Sequence, residues 1–373
     1  MTQPTRKEKP SVFYRLKVVN KKHLTREVFA LELEVPHIYR NVFDFESGQY
    51  VTLSFFYKNT FCFRDFSITS APYEEKISLG IKVRSEESAA QELLNMAAGD
   101  SVLVSPPKGR FILESKPDES RTILLFSSGI GITPIFSHLK NLLYTEHKTR
   151  VFLFYGNKTQ ESIAYREELD LLKSQYSGRL EIYYFLSRER SANPLLYGRL
   201  DEKKLSLIIN QILHTDDRDE ESTLWDSVDE VLICGKGEMV KTLANACYHR
   251  GIPKKNIHFE LFETYSEDIY PQEISYPLIK AINIDFTLQG KYYSAEIEDN
   301  RLKLLQALLS QKYPIPYSCK SGICGSCECQ LEEGEVELLE NEYLTEKEKK
   351  QGRILVCMSV ALSKKIKLNF DLV

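Results

Sequence analysis

Apolar residues alternate with polar ones at Phe29, Leu31, Leu33 and Val35, and again at Val51, Leu53 and Phe55. A period of two predicts strands with one buried face. Turn signals at Glu46-Ser47-Gly48 and Pro106-Pro107-Lys108-Gly109 cut the region up to about residue 114 into short strands, the pattern of a small antiparallel β-barrel. From residue 120 the pattern changes to short unbroken apolar runs: Thr122 to Phe126, Val151 to Tyr155, Glu181 to Leu186, Glu230 to Cys234 and Ile257 to Leu261. Such runs predict parallel strands buried on both faces. Their start-to-start spacings of 29, 30, 49 and 27 residues match the βαβ unit apart from one long interval, so an α/β doubly wound parallel sheet is expected. The long interval holds the acidic stretch 216–221, read as a solvated insertion with a docking element as the alternative.

Residues 264–280 carry two prolines and no clear period, which suits a linker. Beyond it the pattern predicts strands Asn283 to Leu288 and Tyr292 to Ile297, and a helix around Leu302 to Leu309. Thr345 with Glu348 has capping-box spacing for a short helix, and Ile354 to Val360 reads as a strand carrying Cys357. The expected organisation is a flexible leader at 1–10, a barrel at 11–115, the α/β domain at 116–263, the linker at 264–280 and a third domain at 281–373.

Composition narrows the class. Of 373 residues 42% are hydrophobic and 27% charged, with only 17 Gly and 14 Pro, which excludes a disordered or collagen-like chain. A net charge of -4 argues against an obligate nucleic-acid binder. The polar N-terminus has no apolar core of a signal peptide, and no long uninterrupted apolar run occurs, so neither export nor a membrane span is expected. The seven histidines are scattered without metal-ligand spacing.

Cysteine placement changes the picture most. Cys319, Cys324 and Cys327 are spaced C-x4-C-x2-C, and Cys357 follows after 29 further residues. That is the spacing of a plant-type [2Fe-2S] site, in which four thiolates converge on two irons. A structural zinc site is the alternative, but it usually offers two separated C-x2-C pairs. Gly322, Gly325, Ser321 and Ser326 allow the loop to wrap closely. Cys329 lies outside the spacing and reads as a small strand residue, while Cys62 and Cys247 read as plain buried thiols. Iron–sulfur chemistry with few cysteines elsewhere points to a reducing cytoplasm. The region 281–373 resembles the plant-type ferredoxin domain, which implies an α+β (β-grasp) fold.

Two further motifs resemble the ferredoxin-NADP reductase family. Arg64-Asp65-Phe66-Ser67 is similar to its flavin motif R-x-Y-S, with Phe66 where tyrosine is usual. The resemblance implies that Arg64 binds a flavin phosphate, Phe66 stacks on the ring and Ser67 meets flavin N5, roles suited to a guanidinium fork, an aromatic face and a hydroxyl. Lys82 and Ser88 fall where the family has further flavin contacts, without its glycine before Ser88; FAD is implied, with FMN as the alternative. After the first parallel strand, Gly129, Gly131, Thr133 and Pro134 make the family's form of the turn that admits a dinucleotide pyrophosphate to a helix N-terminus. Cys234, Gly235 and Met239 resemble its C-G-P-x-x-M, which implies a place beside the nicotinamide. Ser187 and Arg188 stand where NADP-dependent members hold the 2'-phosphate, and Lys158 is a second candidate, so NADPH is expected ahead of NADH. Phe262 falls where related reductases bring an aromatic to the flavin; a core phenylalanine is the alternative.

The order barrel, nucleotide domain, ferredoxin domain resembles the group of reductases typified by the reductase subunit of phenylacetyl-CoA epoxidase. The implied activity is electron transfer from NADPH through FAD and a [2Fe-2S] cluster to an oxygenase component acting on an aromatic acid or CoA thioester. Ser67 and Cys234 are the candidate catalytic residues. A general ferredoxin, flavodoxin or hybrid-cluster-protein reductase is the second reading, and a non-enzymatic electron carrier or redox sensor the third. The Glu-rich stretch 328–348 reads as a solvated face, with docking of a basic partner as the alternative.

Overall fold

The structure is a computed structural model that describes residues 12–372 apart from 59, 86, 192, 213–223, 264, 266, 271–275, 318, 319, 321, 323, 324 and 342. The expected leader at 1–10 and the acidic stretch at 216–221 lie outside the described residues. The chain forms two compact units, divided between Phe262 and Glu263.

The first unit opens with β1 (Tyr14–His23), β2 (Val28–Glu34), β3 (Tyr50–Tyr57), β4 (Thr60–Ser67), β5 (Lys76–Lys82), the short helix α1 (Ala90–Asn95) and β6 (Ser101–Val104). These strands form one antiparallel sheet in the order β4-β3-β6-β1-β2-β5. Its ends approach each other, with a bridge between Ile68 and Leu79 and the Thr69 N–H donating to the Ser78 carbonyl at 2.7 Å. The sheet thus curls as the alternation demands, with Phe29, Leu31, Leu33, Val51 and Leu53 at 1% exposure or less inside it.

The α/β part follows as β7 (Thr122–Ser128), α2 (Ile132–Thr145), β8 (Arg150–Asn157), α3 (Arg166–Gln175), β9 (Leu180–Leu186), α4 (Glu202–Ile212), β10 (Val228–Gly235), α5 (Gly237–His249) and β11 (Ile257–Leu261). All five strands are parallel, in the order β11-β10-β7-β8-β9. The order reverses at β7, so the crevice at its carboxyl end is where such a sheet takes a ligand. Leu124, Leu125, Leu153 and Ile233 are fully buried, the reason these strands read as unbroken apolar runs.

The second unit holds β12 (Lys280–Leu288), β13 (Lys291–Asp299), α6 (Leu304–Ser310), β14 (Glu328–Glu333), β15 (Val336–Leu338), α7 (Glu346–Lys350), β16 (Arg353–Leu355), β17 (Ser359–Ala361) and β18 (Lys365–Asn369). Its main sheet, β13-β12-β18-β14-β16, is mixed, because β12 pairs parallel with β18 while the other neighbours are antiparallel. Helix α6 supplies Leu304, Leu305 and Leu308 to a core shared with Ile284, Phe286 and Leu368. Thr345 and Glu348 form the expected capping box on α7. Ile354 to Val360 is not one strand: β16 ends at Leu355, and Val356, Cys357 and Met358 turn before β17, with the Met358 N–H donating to the Leu355 carbonyl at 2.9 Å. The apolar run continues through the turn because the turn is buried.

Among the described residues no helix is long and apolar enough to cross a membrane.

Candidate functional site

The N-terminus of α2 is the first component. Gly131 takes the N-cap position and no side chain caps the helix; the Ile132 N–H is already bonded to the Gly129 and Ile130 carbonyls, so what this turn offers an anion is the positive dipole end of the helix. Pro134, in the first turn, removes a donor that would have had no helical partner, and Thr133 Oγ1 donates to the Ile130 carbonyl at 2.9 Å. A Cβ on Gly131 would stand 2.3 Å from the Cys234 carbonyl oxygen, so this turn lies directly against the end of β10. The Tyr155 hydroxyl donates to the Gly129 carbonyl at 2.9 Å and fixes the turn from the β8 side.

The strand ends are the second component. Cys234 is a Cα partner of Ser127 on β7 and of Glu260 on β11. Among the described residues, three polar atoms sealed from solvent here lack a hydrogen-bond partner: Ser127 Oγ, Asn157 Nδ2 and Glu260 Oε2. Orphans of this kind are rare, and these three sit at the carboxyl ends of β7, β8 and β11, the mouth of the sheet. Desolvation, and secondarily the Asp65 carboxylate, pushes the Glu260 carboxyl up to about 8. Burial first and Glu260 second hold the Cys234 thiol well above its usual range, so it stays a neutral thiol. Gly235 abuts Met239 Cε and Ser128 Oγ, each 2.5 Å from where a Cβ would stand.

The third component is β4 of the barrel. Arg64 is exposed, its Nη1 donating to the Phe63 carbonyl at 2.9 Å; Phe66 is half-buried and Ser67 is 7% exposed. The Thr52 hydroxyl donates to Asp65 Oδ1 at 2.6 Å, which anchors the strand between Arg64 and Phe66. Just past Ser67 the chain is fastened to the nucleotide domain: Ser137 Oγ on α2 donates to the Ser70 carbonyl at 2.6 Å, and the Tyr165 hydroxyl lies 3.5 Å from Thr69 Oγ1. Thr133 Cγ2 also lies 2.5 Å from where a Gly80 Cβ would stand. The flavin-motif strand and the α2 N-terminus are therefore held together.

The other expected contacts are distributed around this centre. The Ser187 and Arg188 N–H groups donate to the Asn157 and Lys158 carbonyls, each at 2.9 Å, which sets exposed Arg188 beside exposed Lys158 at the ends of β8 and β9. Phe262 is 41% exposed, which removes the core-phenylalanine alternative. Lys82 pairs with Glu27 at 3.0 Å, and Ser88 Oγ accepts from the Ala90 N–H at 3.4 Å, at the start of α1. Cys247 is a buried thiol as expected, raised to about 12 by burial, whereas Cys62 on β4 is only half-buried because it looks out from a partly exposed edge strand.

In the second unit Cys327 and Cys357 come together, the Val356 N–H donating to the Cys327 carbonyl at 3.3 Å; Cys319 and Cys324 lie outside the described residues. Gly322 and Gly325, beside them in the sequence, are closely packed. A Cβ on Gly322 would stand 2.8 Å from the Glu340 carbonyl oxygen, and one on Gly325 2.3 Å from the Tyr343 ring. Lys320 is 4% exposed and its Nζ has no hydrogen-bond partner among the described residues, an arrangement suited to an anionic group. Cys329 is fully buried in β14 opposite Ile354, as a small strand residue should be.

Residues 15–112 match the oxidoreductase FAD-binding domain, 125–245 the oxidoreductase NAD-binding domain, and 286–362 the 2Fe-2S iron-sulfur cluster binding domain. The chain belongs to the oxidoreductases that join these three domains. Among its relatives, a component of the 1,2-phenylacetyl-CoA epoxidase of Escherichia coli is 26% identical over 97% of this chain and 98% of that one. The ferredoxin reductase component of the 3-ketosteroid-9-alpha-monooxygenase of Rhodococcus rhodochrous is 27% identical over 93% of each chain. The structure of phthalate dioxygenase reductase shares the fold, with a TM-score of 0.51 at 23% identity over 96% of this chain and 98% of that one. The cofactors of this reductase are FAD, a nicotinamide nucleotide and a [2Fe-2S] cluster, and the uncapped helix, the orphaned strand-end atoms and the closely packed glycines of the thiol loop fit them.

Reasoning from the sequence of this reductase missed Asp65, Glu260, Ser127, Asn157 and Lys320. A signal for Glu260 existed: a carboxylate inside an apolar parallel strand has no reason to be there unless its site needs it.

Proposed function

We propose that this reductase oxidises NADPH and passes the electrons singly to a separate oxygenase component, whose substrate is an aromatic acid or its CoA thioester. The observation that carries this reading is the fastening of β4, by Ser70 and Thr69, to α2 and Tyr165, which sets the Arg64–Ser67 strand against the α2 N-terminus. The end-to-end match to reductase components of oxygenases supports the kind of acceptor. When bound, the three groups supply hydride transfer, the splitting of an electron pair and one-electron relay.

The chain's own residues bind, orient and exclude water. The positive end of α2, from Gly131 to Thr133, would hold the pyrophosphate. Arg188 and Lys158 hold the 2'-phosphate, the reason for NADPH ahead of NADH. Gly129 and Gly131 would give the dinucleotide its close approach, Cys234, Gly235 and Met239 would line the nicotinamide site, and Ser67 would hydrogen-bond the flavin. Arg64, with Lys82 and Ser88 further out, holds the flavin's phosphates, while Phe66 and Phe262 cover its ring. Cys234 stays a neutral thiol, so it shapes the pocket rather than acting as a nucleophile. Cys319, Cys324, Cys327 and Cys357 ligate the cluster. The domains run 11–115, 116–263 and 281–373, and the protein acts in the cytoplasm.

The test is anaerobic. Addition of NADPH is expected to bleach the flavin absorbance and then the cluster absorbance, and a purified oxygenase component of the proposed class should reoxidise both. Bleaching without reoxidation by that oxygenase, but with reoxidation by a ferredoxin or flavodoxin, would overturn the assigned acceptor.

A further inference from the structure

Lys320 directly follows Cys319 in the cluster loop and is 4% exposed, yet among the described residues no acceptor meets its Nζ, which lies 4.8 Å from the centroid of the Tyr317 ring. A second lysine is buried nearby. Lys303, 5% exposed at the start of α6, pairs with Asp268 at 3.1 Å and lies 3.7 Å from Met358 Sδ. Met358 follows Cys357 and packs on the cluster loop, its Cγ 3.1 Å from where a Gly322 Cβ would stand. Two buried ammonium groups thus flank the turn that carries Cys357, and Asp268, 22% exposed, is the carboxylate within electrostatic reach of both.

A buried positive charge without a partner is costly unless an anion balances it. Four thiolates, two sulfides and two ferric ions carry a net charge of two minus, and one added electron makes it three minus with no bond made or broken. That electron comes from the reduced flavin of the same chain and leaves to the acceptor. We propose that Lys320 is the fixed counter-charge of the cluster, stabilising its reduced state and so setting its reduction potential, with Asp268 opposing it. The inference rests on the four cysteines being the ligands. The aromatic face of Tyr317 holds the ammonium in place without neutralising it, which keeps the charge available to the cluster.

The test is a potentiometric titration of the holoprotein, followed by electron paramagnetic resonance and visible absorbance. Lys320→Met keeps the apolar stem and removes the charge. At an effective dielectric of ~20, loss of a buried unit charge is expected to raise the ratio of oxidised to reduced cluster about tenfold at a given potential, a fall of about 59 mV for one electron. Lys320→Arg should stay near the wild-type value, Asp268→Asn should shift it upward, and the flavin potential should not move. An unchanged potential in Lys320→Met with its cluster intact would overturn the proposal, and so would an equal fall in Lys320→Arg, which would assign the effect to packing. Should Lys320→Met purify without cluster, an unshifted Asp268→Asn is the overturning result. Iron and sulfide content of the wild type tests the ligand reading separately.

Discussion

Cys234 and Glu260 are Cα partners across the parallel strands β10 and β11, and the Glu260 Oε2 beside the thiol is sealed from water without a hydrogen-bond partner among the described residues. Desolvation is the main cause of the raised Glu260 pKa, and the charge that adds to it is the Asp65 carboxylate on β4 of the barrel. Burial keeps the Cys234 thiol and the Glu260 carboxyl mainly neutral at pH 7, so the carboxyl ends of β10 and β11 carry little negative charge here.

Glu260 gives stability a specific pH dependence. Its folded pKa of about 8 lies above the ordinary 4.5. Below the ordinary value both states are protonated and the group contributes nothing. Between that value and about 8 the unfolded chain releases a proton that the folded chain keeps, so stability falls as pH rises; above about 8 the loss is constant. At ~1.36 kcal/mol per unit the penalty reaches a few kcal/mol. Glu260→Gln is therefore expected to raise Tm relative to wild type by an amount that grows from pH 5 to pH 8 in a thermal-melt series. A difference independent of pH would mean that Glu260 is ionised in the folded protein.

Much of the fold was legible in the sequence because each domain writes its burial differently. The parallel strands show as unbroken runs since both faces are covered, and the barrel strands alternate since one face is wet. Cys357 marks where this reasoning stops: Val356 and Met358 are as apolar as a strand because the turn is buried, and composition does not distinguish a buried turn from a strand. The site was legible where it depends on glycines and cysteines, whose spacing is dictated by backbone approach and ligand geometry. It was not legible at Lys320, Asp65 or Asn157, whose significance lies in lacking or finding a partner in three dimensions.

The two glycines of the α2 turn should differ sharply. A Cβ on Gly131 would meet the Cys234 carbonyl at 2.3 Å, against rigid backbone, so Gly131→Ala must push the helix start away from β10. Gly129 has φ +53° with nothing within 4 Å of a Cβ, so Gly129→Ala meets only the left-handed backbone cost of ~1–2 kcal/mol. The first variant is expected to lose most NADPH affinity by displacing the pyrophosphate site, with KM up tenfold or more. The second should lower Tm modestly and raise KM less than the first, since its added methyl meets no protein atom and only the bound nucleotide could feel it. Titration of NADPH binding alongside thermal melts separates the two, and equal behaviour would show that the close approach to Cys234 is not what the turn requires.

Arg188 offers the cleanest probe of nucleotide choice, since its backbone is fixed to Lys158 by a 2.9 Å hydrogen bond while its side chain is exposed. A charge-assisted bond to a phosphate contributes ~1.5–3 kcal/mol, so Arg188→Ala should raise KM for NADPH roughly tenfold or more and leave KM for NADH nearly unchanged. Steady-state kinetics with both nucleotides measures this. A parallel rise for both would place Arg188 on a part of the nucleotide that they share.

If Cys357 is a cluster ligand as proposed, its replacement separates the two halves of the electron path. Cys357 sits in a buried turn whose preceding N–H is bound to the Cys327 carbonyl, so a serine fits the space without disturbing the fold. A serine hydroxyl remains protonated where a thiolate is needed, so the iron site loses a ligand. Cys357→Ser is therefore expected to lower iron content and remove the cluster absorbance, with Tm of the flavin unit unchanged. Since Ser67, Cys234 and the α2 turn lie outside the unit that carries Cys357, NADPH-dependent reduction of a two-electron dye should continue at near wild-type rate. Reduction of a one-electron protein acceptor should fall by about two orders of magnitude or more, because the one-electron relay is removed. A variant that lost both activities together would show that the cluster supports flavin chemistry itself. Undiminished transfer to the one-electron acceptor would show that electrons leave the reductase directly from the flavin.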